Sequence, residues 1–201
     1  MPGQKAAEAE RRAQILAAAS QVATDRGLEG LTIRRVAEVA GLSSGLIHFH
    51  FRSKAALLEA LLDRLFETTG AFRVGPEIAR IESPYQRLVA LLRQEMARLS
   101  GDRERVHLFF DFWLMGTRHR RIRVRMRAEL ERYRQAFRPM IEEVLRAEPD
   151  RFPHVTPEGL SSVVVAFIKG SAVQAVIDPD GFDVAEFMTA ANALLSHLAV
   201  P

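Results

Sequence analysis

The chain has 201 residues, of which 48% are hydrophobic and 26% are charged. These fractions are ordinary for a folded globular protein and exclude a disordered chain. The absence of cysteine excludes disulfide bonds and thiolate zinc sites, and it fits a reducing compartment. The N-terminus lacks the apolar core of a signal peptide, and no uncharged apolar run reaches the roughly 18 residues of a membrane helix. We therefore expect a cytoplasmic protein with no membrane partner.

The positive charge is concentrated at the N-terminal end. The formal net charge is +3, and the first 54 residues contain eight lysines and arginines against five aspartates and glutamates. The rest of the chain is therefore neutral overall. A basic excess confined to one end indicates the part of the protein that would meet a polyanion such as DNA.

Apolar residues recur at helical spacing almost throughout, without internal repeats or strand-like alternation. The first helix is predicted to end at Gly27, and Gly41 separates the second helix from the third. The residues that stand at the N-cap positions of the second, third and fourth helices are Thr32, Ser43 and Ser53. The fourth helix is predicted to continue past Phe66.

The second half of the chain is predicted to be a helical bundle. A less regular segment from Gly70 to Pro84 contains the breakers Gly75 and Pro76, and we place the domain joint there. Further helices are expected at about 84–99, 103–116, 118–147, 156–177 and 183–198. The stretch Val106–Met115 is apolar on all sides, so that helix is expected to be central. The predicted fold is all-α.

Residues 32–51 have the layout of a helix-turn-helix motif, because two short helices meet at a glycine turn and the second begins with small polar residues. The N-terminal end of a recognition helix enters the major groove, where side chains must allow close approach and meet base edges or phosphates. Ser44, Gly45 and Leu46 satisfy this requirement. Arg34 is placed to reach a guanine or a phosphate, and Lys54 at the start of the fourth helix suits a phosphate.

The run LTIRRVAEVAGLSSGLIHFHFRSKAALLEAL, residues 31–61, resembles the signature of the tetracycline-repressor family of regulators. The matching elements are Thr32, Val36-Ala37, Ala40-Gly41, Ser43, Gly45, Phe51, Ser53-Lys54 and Leu57-Leu58. The resemblance implies a DNA-binding domain over residues 9–69, a ligand-binding and dimerisation domain over 70–201, and a dimer in which the third helix of each head reads one half-site. It implies DNA contacts at Thr32, Arg34, Ser43, Ser44, Gly45, Leu46, His48, Phe49, His50 and Lys54.

One segment departs from the family pattern. His48-Phe49-His50 stands where the family usually has Tyr–x–Tyr before the closing phenylalanine. Imidazoles donate more strongly to phosphates when they are protonated, so one hypothesis is that DNA affinity weakens as the pH rises through the range in which histidines titrate. The alternative is two neutral surface histidines.

Three patterns suggest other chemistry. Residues 41–45, GLSSG, match the G-x-S-x-G nucleophile elbow of esterases, but that motif requires a preceding strand, and a helix is predicted there. His48 and His50 are two apart on a helix and cannot hold one metal ion, while His107 and Asp111 share a face but supply only two ligands. We expect no catalytic site, no metal and no cofactor.

The helix predicted from residue 118 is rich in arginine. A second surface for nucleic acid or another anion is one interpretation of residues 118–138. The other interpretation is a solvated helix face crossed by ion pairs, and the glutamates on the same helix favour it. An arginine such as Arg123 or Arg127 is an option for meeting an anionic effector.

The domain predicted over residues 70–201 is the part in which a regulator would bind a small molecule. The later part of the chain, including FDFWLMGTRHRRIRVRMRAELERYRQAF, resembles the betaine-regulon repressor branch of the family. The resemblance implies an effector cavity, although aromatic and methionine residues suit a plain core as well. A small cation held by aromatic rings is one option for the effector. The candidate lining residues are Phe66, Leu92, Met96, Phe109, Trp113, Met126, Tyr133, Phe167 and Gln174.

The last two predicted helices carry an apolar face that would be exposed to water in a monomer. Small residues on the first of them would let a second helix approach closely, and four helices would then meet across a twofold axis. The predicted homodimer interface comprises Val163, Phe167, Gly170, Val173, Phe187, Ala191, Leu194 and Leu195.

The patterns and the resemblance together predict a transcription regulator that binds a palindromic DNA operator as a homodimer and responds to a small-molecule effector. The resemblance implies repression, the commoner outcome in this family. The alternatives are a small-molecule-binding bundle whose head does not bind DNA, and a G-x-S-x-G serine esterase.

Overall fold

The computed structural model describes residues 2–69 and 74–197, and over this range it contains helices and no strand. The helices are α1 (Pro2–Gly30), α2 (Ile33–Ala40), α3 (Ser44–His50), α4 (Lys54–Thr69), α5 (Pro76–Ala79), α6 (Pro84–Ser100), α7 (Arg103–Arg118), α8 (Arg120–Ala147), α9 (Pro157–Ile177) and α10 (Val184–His197), with a 3₁₀ turn at Pro149–Arg151. The predicted all-α class is confirmed.

Two short elements were not predicted from the sequence. Gly75 and Pro76 were interpreted as breakers, but they start α5: Gly75 is the extended N-cap residue and Pro76 opens the first turn, where its missing N–H costs nothing. The 3₁₀ turn at Pro149–Arg151 begins with proline in the same way. At Gly27 the backbone leaves the helix as predicted (φ 68°, ψ 169°), but α1 resumes and continues to Gly30. Residues 70–73 of the predicted joint, and residue 198, lie outside the described residues.

The chain divides into two compact units. Unit 1 comprises the described residues of Met1–Gly70 together with His107–Met126, and unit 2 comprises those of Ala71–Val106 and Arg127–Pro201. The segment 107–126 therefore groups with the N-terminal helices, although it follows them by more than thirty residues in the chain. The domain boundary between residues 69 and 70 stays a prediction.

Unit 1 is built around α1, which packs against α2 and α4, while α2 packs against α3. The buried face of α1 is formed by residues at helical spacing, among them Ile15, Ala19 and Val22. These side chains meet Val36 of α2 and Ile47 of α3 in one continuous hydrophobic cluster. Burial of this face fixes the orientation of the two short helices, which would not be stable alone.

In unit 2, α6 packs against α9 and α10, and α9 packs against α10. The core consists mainly of aliphatic side chains on α6 and α9 and the apolar stripe of α8. Fully buried members include Leu88, Leu91, Met96, Phe137 and Ile141. Of the described helices, α9 alone is long and apolar enough to cross a membrane by length and composition. A core helix passes the same test, and the contacts of α9 with α6 and α10 fit that role.

The expectation that the helix over 106–115 is central was partly wrong. Phe109 and Phe112 of α7 are buried, but Trp113 is 37% exposed and Leu114 is 61% exposed. The helix therefore has an apolar side that the chain itself does not cover. The sequence pattern could not reveal this, because apolar residues on all sides of a helix do not show which sides have partners.

Candidate functional site

Two polar caps and a left-handed glycine shape the candidate DNA-binding motif. The Thr32 hydroxyl accepts the Arg35 N–H at 3.2 Å at the start of α2, and the Ser43 hydroxyl accepts the Leu46 N–H at 3.2 Å at the start of α3. Between them Gly41 has φ 65°, a left-handed conformation that other residues rarely adopt. The predicted caps and turn are confirmed, and they form the tight corner that a helix-turn-helix requires.

The third helix, α3, is held by its inner face and exposed on its outer face. Ile47 is completely buried and Phe51 is 2% exposed, while Phe49 is 76% exposed. Ser44 and Gly45 at the N-terminus of α3 are exposed as well. An exposed helix start on a rigid inner anchor matches the geometry of a recognition helix, whose first residues contact base edges.

The two histidines of α3 differ in environment. His48 is exposed, whereas His50 is half-buried. The main-chain oxygen of His50 accepts a hydrogen bond from Arg12 at 2.8 Å, and the ring of Phe49 lies edge-on at 5.2 Å. The His50 Nδ1 atom is enclosed and has no hydrogen-bond partner among the described residues. Of the two, His48 is therefore the one whose surroundings leave it open to a phosphate.

The two predicted cationic contacts also lie in unit 1. Arg34 is 86% exposed in its side chain and pairs with Glu38 at 3.1 Å. Lys54 begins α4, where its ammonium donates to the main-chain oxygen of Glu29 at 3.3 Å. The Ser53 hydroxyl accepts the Ala56 N–H at 3.1 Å and so caps α4 as predicted. Both cations are held by contacts that a DNA phosphate or a base edge can replace.

The competing sites suggested by the sequence find little support in the structure. Ser43 follows α2 rather than a strand, and its hydroxyl is engaged as a helix cap, so the esterase geometry is not formed. His107 Nδ1 lies 3.8 Å from the Asp111 carboxylate. Among the described residues, histidine, aspartate and glutamate form no group of three or more that could hold a metal ion.

Most of the arginines of α8 are engaged in ion pairs. Arg125 contacts Glu59 at 3.0 Å and Asp63 at 3.5 Å. Further pairs are Arg121–Glu59, Arg132–Glu129, Arg134–Glu131, Arg138–Glu142 and Arg138–Glu158. Arg123 donates to the main-chain oxygens of Gly116 and Thr117 at the end of α7. These pairs favour a solvated face crossed by ion pairs for much of this helix.

The predicted effector-lining residues fall into both units. In unit 1, Phe109 contacts Phe66 and Trp113, with ring centroids 6.5 and 5.7 Å apart, and Met126 is buried. The members in unit 2 are Leu92, Met96, Tyr133, Phe167 and Gln174; the first three are buried, Phe167 is half-buried and Gln174 is exposed. The structure brings the aromatic members of unit 1 together, and the nine-residue lining as a whole stays a prediction.

A buried polar cluster in unit 2 was not predicted. The Glu95 side chain is completely buried; its carboxylate accepts the Tyr133 hydroxyl at 2.7 Å and pairs with Arg98 at 2.7 Å. Burial raises the pKa of Tyr133, and the negative charge of Glu95 raises it further. A signal was present in the sequence, because Glu95 lies on the stripe that also carries Leu91 and Leu92. A charged residue on an apolar helix face needs a partner.

Lys169 of α9 completes this cluster. It is half-buried, and its ammonium lies 4.7 Å from the centroid of the Tyr133 ring. Burial lowers the pKa of Lys169 to about 8; Glu129 and Glu95 oppose this shift, and Arg98 adds to it. Tyr133, one of the aromatic residues predicted to line an effector cavity, therefore already has a cation of the protein itself beside its ring.

The lowered pKa of Lys169 predicts a pH dependence of stability. Between pH 8 and 10.5 the unfolded chain binds more protons at this position than the folded chain, so the free energy of unfolding should rise with pH in this window. Lys169→Met lacks this titration. The free energy of unfolding of the wild type should therefore rise relative to that of Lys169→Met between pH 7 and pH 10, by about 2 kcal/mol. Urea unfolding at both pH values measures the difference, and an unchanged difference would contradict the assignment.

The predicted dimer residues lie on α9 and α10 with different exposures. Val163 is 40% and Leu194 62% exposed. Phe167, Gly170, Val173 and Phe187 are half-buried, and Phe167 and Phe187 contact each other with centroids 6.1 Å apart. A Cβ at Gly170 would meet nothing within 4 Å. Ala191 and Leu195, by contrast, are buried in the core of unit 2.

Comparison with known proteins matches the N-terminal and the C-terminal part of the chain to two family models. Residues 15–61 match the model of the bacterial regulatory proteins of the tetR family, and residues 84–200 match the C-terminal model of the BetI-type transcriptional repressors. The second match covers more than half of the chain.

Individual relatives agree with these matches. The transcriptional regulator TtgR from Pseudomonas putida is 48% identical over 59 residues, which are 29% of this chain and only 28% of that protein. The regulator BetI 1 from Chromohalobacter salexigens is 25% identical over 174 residues, 87% of this chain and 83% of that protein. A transcriptional regulator from Saccharomonospora viridis, solved in complex with choline, has the same fold with a TM-score of 0.73 and 23% identity, covering 94% of this chain and 97% of that one. The chain therefore belongs to the tetR family of bacterial regulatory proteins, as a helix-turn-helix transcription regulator whose C-terminal region is of the BetI type.

Proposed function

We propose that the protein is a cytoplasmic repressor that binds a palindromic operator as a homodimer and is released by a small-molecule effector. The observation that carries this proposal is the exposed N-terminus of α3. There Ser44 and Gly45 face solvent while Ile47 and Phe51 anchor the helix in the core of unit 1. Two such helices would meet half-sites about one turn of DNA apart, or a multiple of it.

The dimer is proposed to form through α9 and α10. Val163 and Leu194 supply exposed apolar contacts, and the open space at Gly170 would admit a helix of the partner. Burial of these groups would remove an apolar face from water. Because Ala191 and Leu195 are already buried within the protomer, they would pack beneath the interface residues and would not contact the partner.

The effector is proposed to bind among the C-terminal helices and to favour one of two arrangements of the dimer, which differ in the distance between the two DNA-binding domains. Choline is bound by the neighbour from Saccharomonospora viridis, but similarity at that level supports a common fold and not a common ligand. We propose no catalytic activity, since the family is one of regulators and the Ser43 hydroxyl serves as a cap.

Selection from random duplexes tests the proposed function. The purified protein is incubated with the duplexes across a salt series, and the retained fraction is sequenced. We expect a palindrome and a steep decrease of affinity with salt, because phosphate contacts release counterions. Sedimentation equilibrium on the same sample should give the mass of a dimer. Failure to retain any duplex at low salt would contradict the proposal and favour a bundle whose head does not bind DNA.

The two cations Arg34 and Lys54 are expected to have different roles on DNA. Arg34→Ala should relax the base preference at one position of each half-site, at a cost of about 1–3 kcal/mol. Lys54→Ala should weaken all sequences alike and reduce the slope of log affinity against log salt by about 1. Repetition of the duplex selection with each variant measures both effects. A change of sequence preference in Lys54→Ala would contradict its phosphate role.

A further inference from the structure

A cleft with a volume of about 870 Å³ lies within unit 1. Its walls come from the end of α1 at Arg26–Glu29, the first turns of α4, the C-terminal half of α7 and the start of α8. The volume is within the range of small-molecule sites in proteins. The cleft contains none of the nine residues predicted to line the effector cavity, so it is a separate candidate site.

One side of the cleft is apolar. Leu58 and Ile122 are buried in its floor, Met115 is half-buried, and Leu114 is 61% exposed. The exposed Leu114 side chain leaves hydrocarbon in contact with water at the mouth of a concave surface. An occupant with an apolar chain or ring would remove that surface from water, which is favourable in proportion to the area covered.

The other side of the cleft is basic. Five lysines and arginines and His119 line it, against three carboxylates. Two of these carboxylates are engaged: Glu59 with Arg121, and Asp111 with His107. Three of the exposed basic residues, Arg26, Arg118 and Arg120, form no ion pair in the part of the chain that the structure describes. The charge remaining at this rim is therefore positive and would attract an anion.

We propose that this cleft is a second ligand site, which binds an anionic amphiphile: a carboxylate or sulfonate attached to an apolar chain or ring. The acid group faces Arg118 and Arg120, and the apolar part lies against Leu114. A cationic ligand would be repelled at the same rim, and a DNA phosphate has no apolar part to cover Leu114. Lys54 also lines the cleft, so an occupant would lie beside one of the proposed phosphate contacts; this last link rests on the proposed function.

Three probes with similar apolar chains and different head groups test the site: decanoate, decanol and decyltrimethylammonium. They are titrated into the full chain by calorimetry, the two ionic probes below their micelle concentrations and decanol below its solubility limit. Decanoate is expected to bind most tightly. The double variant Arg118→Glu/Arg120→Glu should weaken decanoate about tenfold, as expected for reversing two exposed charges. The matched control Arg93→Glu/Arg103→Glu reverses the same charge at exposed positions outside the cleft and should bind decanoate like the wild type.

Several outcomes would overturn the proposal. They are no binding of decanoate at millimolar concentration, equal binding of decanoate and decyltrimethylammonium, and equal binding of decanoate by the two double variants. Loss of DNA affinity in Arg118→Glu/Arg120→Glu with unchanged decanoate binding would assign these arginines to DNA instead. Since the titrations contain no DNA, their result is independent of whether the proposed operator binding holds.

Discussion

Glu95→Ala is expected to destabilise the protein by about 3 kcal/mol, the largest effect that we predict for a single substitution. The carboxylate is completely buried, and it is the acceptor for the Tyr133 hydroxyl and the counter-ion of Arg98. Its removal leaves a buried hydroxyl without this acceptor and Arg98 without its counter-ion. It also removes one of the two carboxylates, Glu129 and Glu95, whose charges favour the protonated form of Lys169. Breaking a buried pair typically costs about 3–5 kcal/mol. We take the lower limit because the Arg98 side chain is 35% exposed and can turn to water.

Urea unfolding followed by circular dichroism measures this loss. Tyr133→Phe removes one hydrogen bond and leaves the ion pair, so it should cost about 1 kcal/mol. Glu131→Ala is the control for a surface carboxylate, since Glu131 pairs with the neighbouring Arg134 and Gln135 of the same helix, and the unfolding midpoint should not change. If Glu95→Ala lost no more stability than Tyr133→Phe, the cluster would contribute only a hydrogen bond.

Gly45→Glu is expected to reduce operator affinity about 100-fold without loss of fold. Gly45 is exposed in the first turn of α3, and a Cβ there would meet only the Ser43 hydroxyl at 3.9 Å. The longer side chain therefore has room in the free protein, and a carboxylate suits the first turn of a helix. On DNA the same carboxylate would stand where close approach is needed and would face phosphates, losing a contact of about 1–3 kcal/mol and adding repulsion.

Gly45→Ala is the matched control. It fills the same position with a methyl group and should raise the free energy of unfolding by up to about 1 kcal/mol, because alanine is the better helix former. Its effect on affinity should be much smaller than that of Gly45→Glu. Electrophoretic mobility shift with the selected operator measures affinity, and thermal unfolding measures stability. Operator binding by Gly45→Glu at wild-type strength would show that the N-terminus of α3 does not face DNA.

The local features of the DNA-binding motif were predictable from sequence. Thr32, Ser43 and Ser53 cap the helices they were expected to cap, and Gly41 adopts the left-handed turn. Each of these features depends on residues within three or four positions, so a short window of sequence contains the whole cause. Gly27 interrupts α1 for the same reason.

Features that depend on distant partners were not predictable. Of the two partners of Glu95, Arg98 is three positions away, but Tyr133 lies 38 positions away on another helix. In α7, the apolar composition around Leu114 indicated a central helix, yet this side faces water. The cleft in unit 1 joins segments of α1, α4, α7 and α8, and no periodicity within one segment reveals which helix will oppose it.

The position of Trp113 provides an optical probe of one half of the molecule. It is the only tryptophan in the chain, it belongs to unit 1, and it is partly exposed beside Phe109. Tryptophan emission therefore reports on unit 1 alone, while circular dichroism averages over the helices of both units. Coincidence of the two unfolding curves would mean that the units melt as one cooperative body. Separate curves would give each unit its own stability without any labelling of the protein.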